Sequence, residues 1–67
     1  MKTIDELRDG FERTINFCSS REMRLFLSVC NWDDSCDCYE NNTGDIDLDY
    51  YADRLNGAWF MYQELNK

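Results

Sequence analysis

Apolar residues enter the chain at Ile4, Leu7, Phe11, Ile15 and Cys18, in steps of three, four, four and three. On a 3.6-residue period these five side chains fall within roughly 80° of arc, which predicts a helix over about 4–17 with one narrow buried stripe. Thr3 and Glu6 stand at the spacing of a capping box, each side chain placed to take the other residue's free amide. Asp5, Glu6, Asp9 and Glu12 come early and Arg13 later, an order that suits the helix dipole.

Ser19 and Glu22 repeat the capping spacing, and a second helix is expected over about 20–31. Met23, Phe26, Leu27 and Cys30 share one of its faces, while Leu25, Val29 and Trp32 share another. A helix apolar on two sides is either sandwiched between neighbours or half-exposed at an interface. Residues 32–49 lose the helical period and are dense in Asp, Asn, Ser, Thr and Gly. Asn42-Thr43-Gly44 reads as a turn, with room for a short hairpin around it. Asp47 or Asp49 then suits the N-cap of a third helix over about 49–65. Its main stripe is Leu48, Tyr51, Leu55, Ala58, Trp59, Tyr62 and Leu65, with a thinner row of Tyr50, Arg54, Gly57 and Met61. The fold class this predicts is all-α: three helices, with a long acidic loop between the second and third.

Length confines the chain to a single domain over 1–67 with one thin core, too small for a Rossmann- or barrel-sized enzyme. At 43% hydrophobic and with no proline, it should fold rather than stay disordered. No apolar run approaches the ~18 residues of a membrane span. The charged opening Met-Lys-Thr-Ile-Asp-Glu predicts no secretory leader, and so a cytoplasmic chain with reduced thiols.

The net charge of −7 is distributed unevenly. Residues 1–31 carry five basic and five acidic side chains, and residues 50–67 carry two of each. The connection holds Asp33, Asp34, Asp37, Glu40, Asp45, Asp47 and Asp49 with no Lys or Arg, so the whole net charge lies there. Such a segment repels nucleic acid and anionic lipid and favours a basic partner. Two readings stand side by side: a connection kept wet by its charge, or an acidic recognition surface that places carboxylates where DNA phosphates would lie. A calcium loop fits poorly, because setting Gly44 at the invariant glycine of an EF-hand puts Tyr39 and Tyr50 where carboxylates belong.

Cys18 and Cys30 fall on the helical stripes as small hydrophobes, and Cys36 and Cys38 lie in the acidic segment. Free thiols and no cofactor are the expectation. Cys30, Cys36 and Cys38 offer an alternative as three zinc thiolates, though no histidine exists to complete the set. The same lack of histidine removes the commonest general base, and the chain carries no glycine-rich phosphate loop, so an enzyme is not expected. A DNA-reading helix-turn-helix is disfavoured, since Arg21 and Arg24 are the sole basic cluster on helix two. Trp32, Tyr39, Tyr50, Phe17, Phe60 and Met61 fall off the main stripes. Either several are exposed as an interface or the 32–49 segment folds back over them. The candidate partner-binding set is therefore Asp33, Asp34, Asp37, Glu40, Asp45, Trp32, Tyr50 and Met61. A homodimer through the spare apolar rows, as in a self-associating scaffold, stays open beside a foreign partner.

The opening Lys-Thr-Ile-Asp-Glu-Leu-Arg-Asp-Gly-Phe-Glu and the closing Leu-Asn-Gly-Ala-Trp-Phe-Met-Tyr-Gln resemble small accessory proteins of temperate bacteriophages. The matching positions are Ile4, Leu7, Arg8, Phe11, Glu12, Gly57, Trp59, Tyr62 and Gln63, about a third of the chain, and the acidic segment has no counterpart. The resemblance implies a host-cell cytoplasmic setting and a non-enzymatic role in which the chain binds and modulates a host or phage protein. It carries over no catalytic residue.

Overall fold

The computed structural model describes residues 2–66. Helix α1 spans Ile4–Cys18, and the predicted capping box forms at its start. The Glu6 amide donates to Thr3 Oγ1 at 3.2 Å and the Thr3 amide donates to Glu6 Oε1 at 3.3 Å. Leu7, Phe11 and Ile15 are buried along the expected stripe. Outside the stripe, Arg8 pairs with Glu12 at 2.9 Å and Arg13 with Asp9 at 2.7 Å. Cys18, assigned to the stripe, is exposed, because the chain leaves the helix there and turns at Ser19.

Helix α2 spans Arg21–Val29 and buries Phe26. Its cap is Ser20, whose Oγ accepts from the Met23 amide at 3.3 Å. The expected Ser19–Glu22 box is therefore displaced by one residue. Ser19 is engaged by the preceding helix, its hydroxyl donating to the Ile15 carbonyl at 2.6 Å.

A hairpin after α2 overturns the all-α expectation. Strands β1, Cys30–Asp33, and β2, Cys38–Asn41, form a two-stranded antiparallel sheet, so the fold is mixed α/β. Cys30 pairs with Asn41, Asn31 with Glu40, Trp32 with Tyr39 and Asp33 with Cys38. Helix α2 accordingly stops at Val29, and Cys30 and Trp32 leave the helical faces assigned to them. The hairpin turns at residues 34–37, where Asp37 takes a left-handed φ of 53°, and not around Asn42-Thr43-Gly44. Asn and Asp tolerate that region better than other non-glycine residues do.

A 3-10 turn at Ile46–Leu48 leads directly into helix α3, Asp49–Leu65. Capping therefore moves upstream of the predicted Asp47 or Asp49: Asp45 Oδ1 accepts from the Asp47 amide at 3.0 Å, and Leu48 precedes α3 without a side-chain cap. Trp59 and Leu55 of α3 are completely buried at the centre of the core, where Leu7, Phe11, Ile15, Phe26, Cys30, Tyr39 and Ala52 surround them. Phe11 lies 5.3 Å from the Trp59 ring, and Trp32 meets it edge-on at 5.5 Å. The 32–49 segment thus does fold back: Tyr39 is only 3% exposed and Trp32 is half-buried. Phe17, Tyr50, Phe60 and Met61 remain exposed, as does Leu65 at the end of the α3 stripe.

Candidate functional site

The acidic segment is a structured element clamped to α3. In the ladder, Trp32 and Tyr39 are a facing pair whose rings meet edge-on at 5.1 Å. The backbone of Tyr39 points to α3: its amide donates to Asn56 Oδ1 at 2.7 Å, and Asn56 Nδ2 donates to its carbonyl at 2.7 Å. One turn further along α3, Trp59 Nε1 donates to the Asp37 carbonyl at 3.0 Å and fixes the end of the turn. On the α1 side the Arg8 guanidinium stands 5.0 Å over the Trp32 ring, a cation–π contact.

Strand alternation then sorts the residues. Cys30, Trp32 and Tyr39 face the core, while Asn31, Asp33, Cys38 and Glu40 occupy the other face. Asp34 and Asp37 belong to the turn, so the hairpin carries four carboxylates on its outer face and tip. Their positions are set by local bonds. Asp33 Oδ1 accepts from the Ser35 hydroxyl at 2.6 Å and the Ser35 amide at 2.9 Å, and these bonds hold its carboxyl below the usual range. Asp34 Oδ1 accepts from Trp32 Nε1 at 2.6 Å.

The segment after β2 is ordered in the same way. Asn41 Oδ1 accepts from the Thr43 amide at 3.0 Å and hydroxyl at 2.7 Å, and Asn41 Nδ2 donates to Asp49 Oδ1 at 2.9 Å and the Asp45 carbonyl at 2.8 Å. Gly44, at φ 77°, supplies the left-handed step between them. Both ion pairs among the described residues lie within α1, so neither touches the seven carboxylates of this segment.

The predicted partner-binding set divides in two. Asp33, Asp34, Asp37, Glu40 and Asp45 belong to the hairpin and the turns after it, with Trp32 beneath them. Tyr50 and Met61 lie elsewhere, on the exposed side of α3, where Tyr50 packs against Tyr51 at 4.3 Å. The alternative zinc set is not gathered. Cys30 is buried opposite Asn41 at one end of the ladder, whereas Cys38 faces Asp33 at the other. Among the described residues no three potential ligands come together to hold a metal ion. Cys36 does neighbour Cys38: the Cys38 thiol, burial and the Asp33 charge together push Cys36 up to about 11. Burial alone raises Cys30.

Asn56 is the positioning residue that sequence reasoning missed. Its only signal is a carboxamide flanking the apolar stripe of α3 beside Leu55. No protein family, curated protein or solved structure matches the chain. No helix among the described residues is long and apolar enough to cross a membrane.

Proposed function

We propose that this chain is a non-enzymatic accessory protein of the bacteriophage type, acting in the host cytoplasm, which docks its acidic hairpin on a basic surface of a host protein and modulates it. The observation that carries the reading is the combination of charge and order. Seven carboxylates hold the entire net charge, and the segment bearing them is tied to α3 through Tyr39, Asn56, Asp37 and Trp59. A mobile acidic loop would lose entropy on docking, whereas a clamped one has less to lose. Carboxylates that accept hydrogen bonds at set positions are what a groove lined with Arg and Lys recognises, and such grooves are common where phosphates bind. The residues behind the phage resemblance include Leu7, Phe11 and Trp59 of the core and the Arg8–Glu12 pair, so they describe a scaffold and the hairpin would supply the specificity.

The test is affinity capture from bacterial lysate with the wild-type chain and with an Asp33→Asn, Asp34→Asn, Asp37→Asn variant. Companions that bind the wild type, are lost by the variant and are displaced by duplex DNA support the reading. Companions retained equally by both forms contradict it.

A further inference from the structure

Helices α2 and α3 do not close on each other completely. Between them runs an open groove of about 760 Å³, with Glu22 and Leu25 on the α2 side and Tyr50, Arg54, Gly57 and Ala58 on the α3 side. Leu25 and Tyr50 are about half exposed, and Met61 and Leu65 continue the apolar row along α3. Gly57 faces open space, with nothing within 4 Å of where a Cβ would stand.

The charges at the rim are arranged in a particular way. Glu22 and Arg54 occupy opposite lips, and neither takes part in an ion pair among the described residues. A two-fold axis passing between them exchanges the lips: Glu22 of one copy faces Arg54 of the other, and the reverse pair forms at the same time. One groove thus supplies both halves of a match in charge.

We propose that the α2–α3 groove is the interface of a homodimer, its occupant a second copy of this chain related by a two-fold axis. The wider charge distribution favours this occupant over a charged foreign one. Residues 1–31 and 50–67 are each neutral overall, so two copies meet there without net repulsion. The acidic hairpin binds α3 at Asn56 and Trp59, at least about 100° around the helix from Tyr50, Arg54 and Gly57, which keeps it off this interface. Dimerisation through this groove does not depend on what the hairpin binds.

Sedimentation equilibrium of the full chain tests it, with folding of each variant checked by circular dichroism. The wild type should approach twice the 8.1 kDa chain mass at high micromolar concentration and dissociate on dilution. Glu22→Arg gives two basic lips and Arg54→Glu two acidic ones, and each variant alone should self-associate at least about tenfold more weakly, or 1.4 kcal/mol. Mixed in equal amounts, the two should recover a dimer containing one chain of each. Gly57→Leu, whose side chain grows into open space in the monomer, should also lose the dimer at unchanged helicity. A wild type that stays monomeric throughout, a mixture that does not associate, or a folded Gly57→Leu that dimerises normally would each overturn the proposal. The first of these would leave the groove to a foreign helix.

Discussion

Asn56 of α3 satisfies both backbone hydrogen-bonding groups of Tyr39, accepting from its amide and donating to its carbonyl, each at 2.7 Å. One carboxamide therefore stands in for a third strand beside β2. An unpaired strand edge is a template for unwanted pairing, and natural sheets blunt it by covering or interrupting it. Here the cover also sets the hairpin's angle to the helix, and with it the direction in which Asp33 and Glu40 face.

Replacing Asn56 with Ala strands the Tyr39 amide and carbonyl in a largely buried position. Each unsatisfied group costs about 1–3 kcal/mol, so a loss of about 2 kcal/mol or more is expected in urea unfolding. Hydrogen exchange at the Tyr39 amide should accelerate beyond what global unfolding accounts for. A loss below about 0.5 kcal/mol would mean that water takes over both bonds.

The Tyr39 hydroxyl is buried and has no hydrogen-bond partner among the described residues, while Glu12 acts on it through its charge. Burial first, then Glu12, raise its pKa well above the usual tyrosine range, and Arg8 offsets only part of this. The native state then keeps a proton that the unfolded chain has released. Stability is intact below the ordinary tyrosine value of about 10 and falls as pH rises beyond it. Tyr39→Phe should flatten that alkaline decline and leave neutral stability unchanged or higher by about 1 kcal/mol. A loss of more than about 1 kcal/mol would show that the hydroxyl has a real partner in Glu12.

Two glycines in helices should respond in opposite directions to alanine. Gly57→Ala meets open space and should stabilise the monomer by up to about 1 kcal/mol through helix propensity. At Gly10 a Cβ would fall on the Tyr62 hydroxyl, and that ring is stacked on Trp59 and packed 5.5 Å from Phe11. Gly10→Ala should therefore lose stability despite the same propensity gain. Adding Tyr62→Phe should recover most of the loss, and thermal unfolding of the double-mutant set measures the coupling.

Both ends of α1 and the start of α2 are legible in the sequence to within about a residue, because Thr3, Glu6 and the stripe Leu7, Phe11, Ile15 act within a few positions of one another. The hairpin is not legible. Its strands are four residues long, too short to display a period of two, and Cys30 and Trp32 fit a helical face as well as a strand. Its turn uses Asp37 in the left-handed region without the glycine that usually marks one, while the visible turn signal at Asn42-Thr43-Gly44 belongs to the connection after β2. The carboxylates are legible from charge alone. That they are held in place is not, since the bonds from Asn56 and Trp59 reach across 17 and 22 residues.

Cys36 should be a slow nucleophile although it is exposed. With its pKa pushed up to about 11, chiefly by the hydrogen bond with Cys38, little thiolate exists near neutrality. Alkylation at pH 8, followed by mass spectrometry, should modify Cys36 at least about tenfold more slowly than a free model thiol of the ordinary pKa, about 8.5, because the thiolate population falls by more than its nucleophilicity rises. Cys38→Ser combined with Asp33→Asn should speed it. Labelling at the model rate in the wild type would contradict the assigned pairing of the two thiols.

If an ordered set of carboxylates does the binding, complex formation must depend steeply on salt. The partner recovered by capture should be titrated with three forms at low and at physiological salt: the wild type, the Asp33→Asn, Asp34→Asn, Asp37→Asn variant, and an Asp5→Asn, Asp9→Asn control on α1. The charged hairpin acts over about 8 Å at physiological ionic strength, so wild-type affinity should fall steeply as salt rises. The hairpin variant should bind at least about tenfold more weakly, roughly 1.4 kcal/mol, and lose most of the salt slope, while the α1 control matches the wild type. A hairpin variant that binds with wild-type affinity and slope would contradict the account and reduce the acidic segment to solvation.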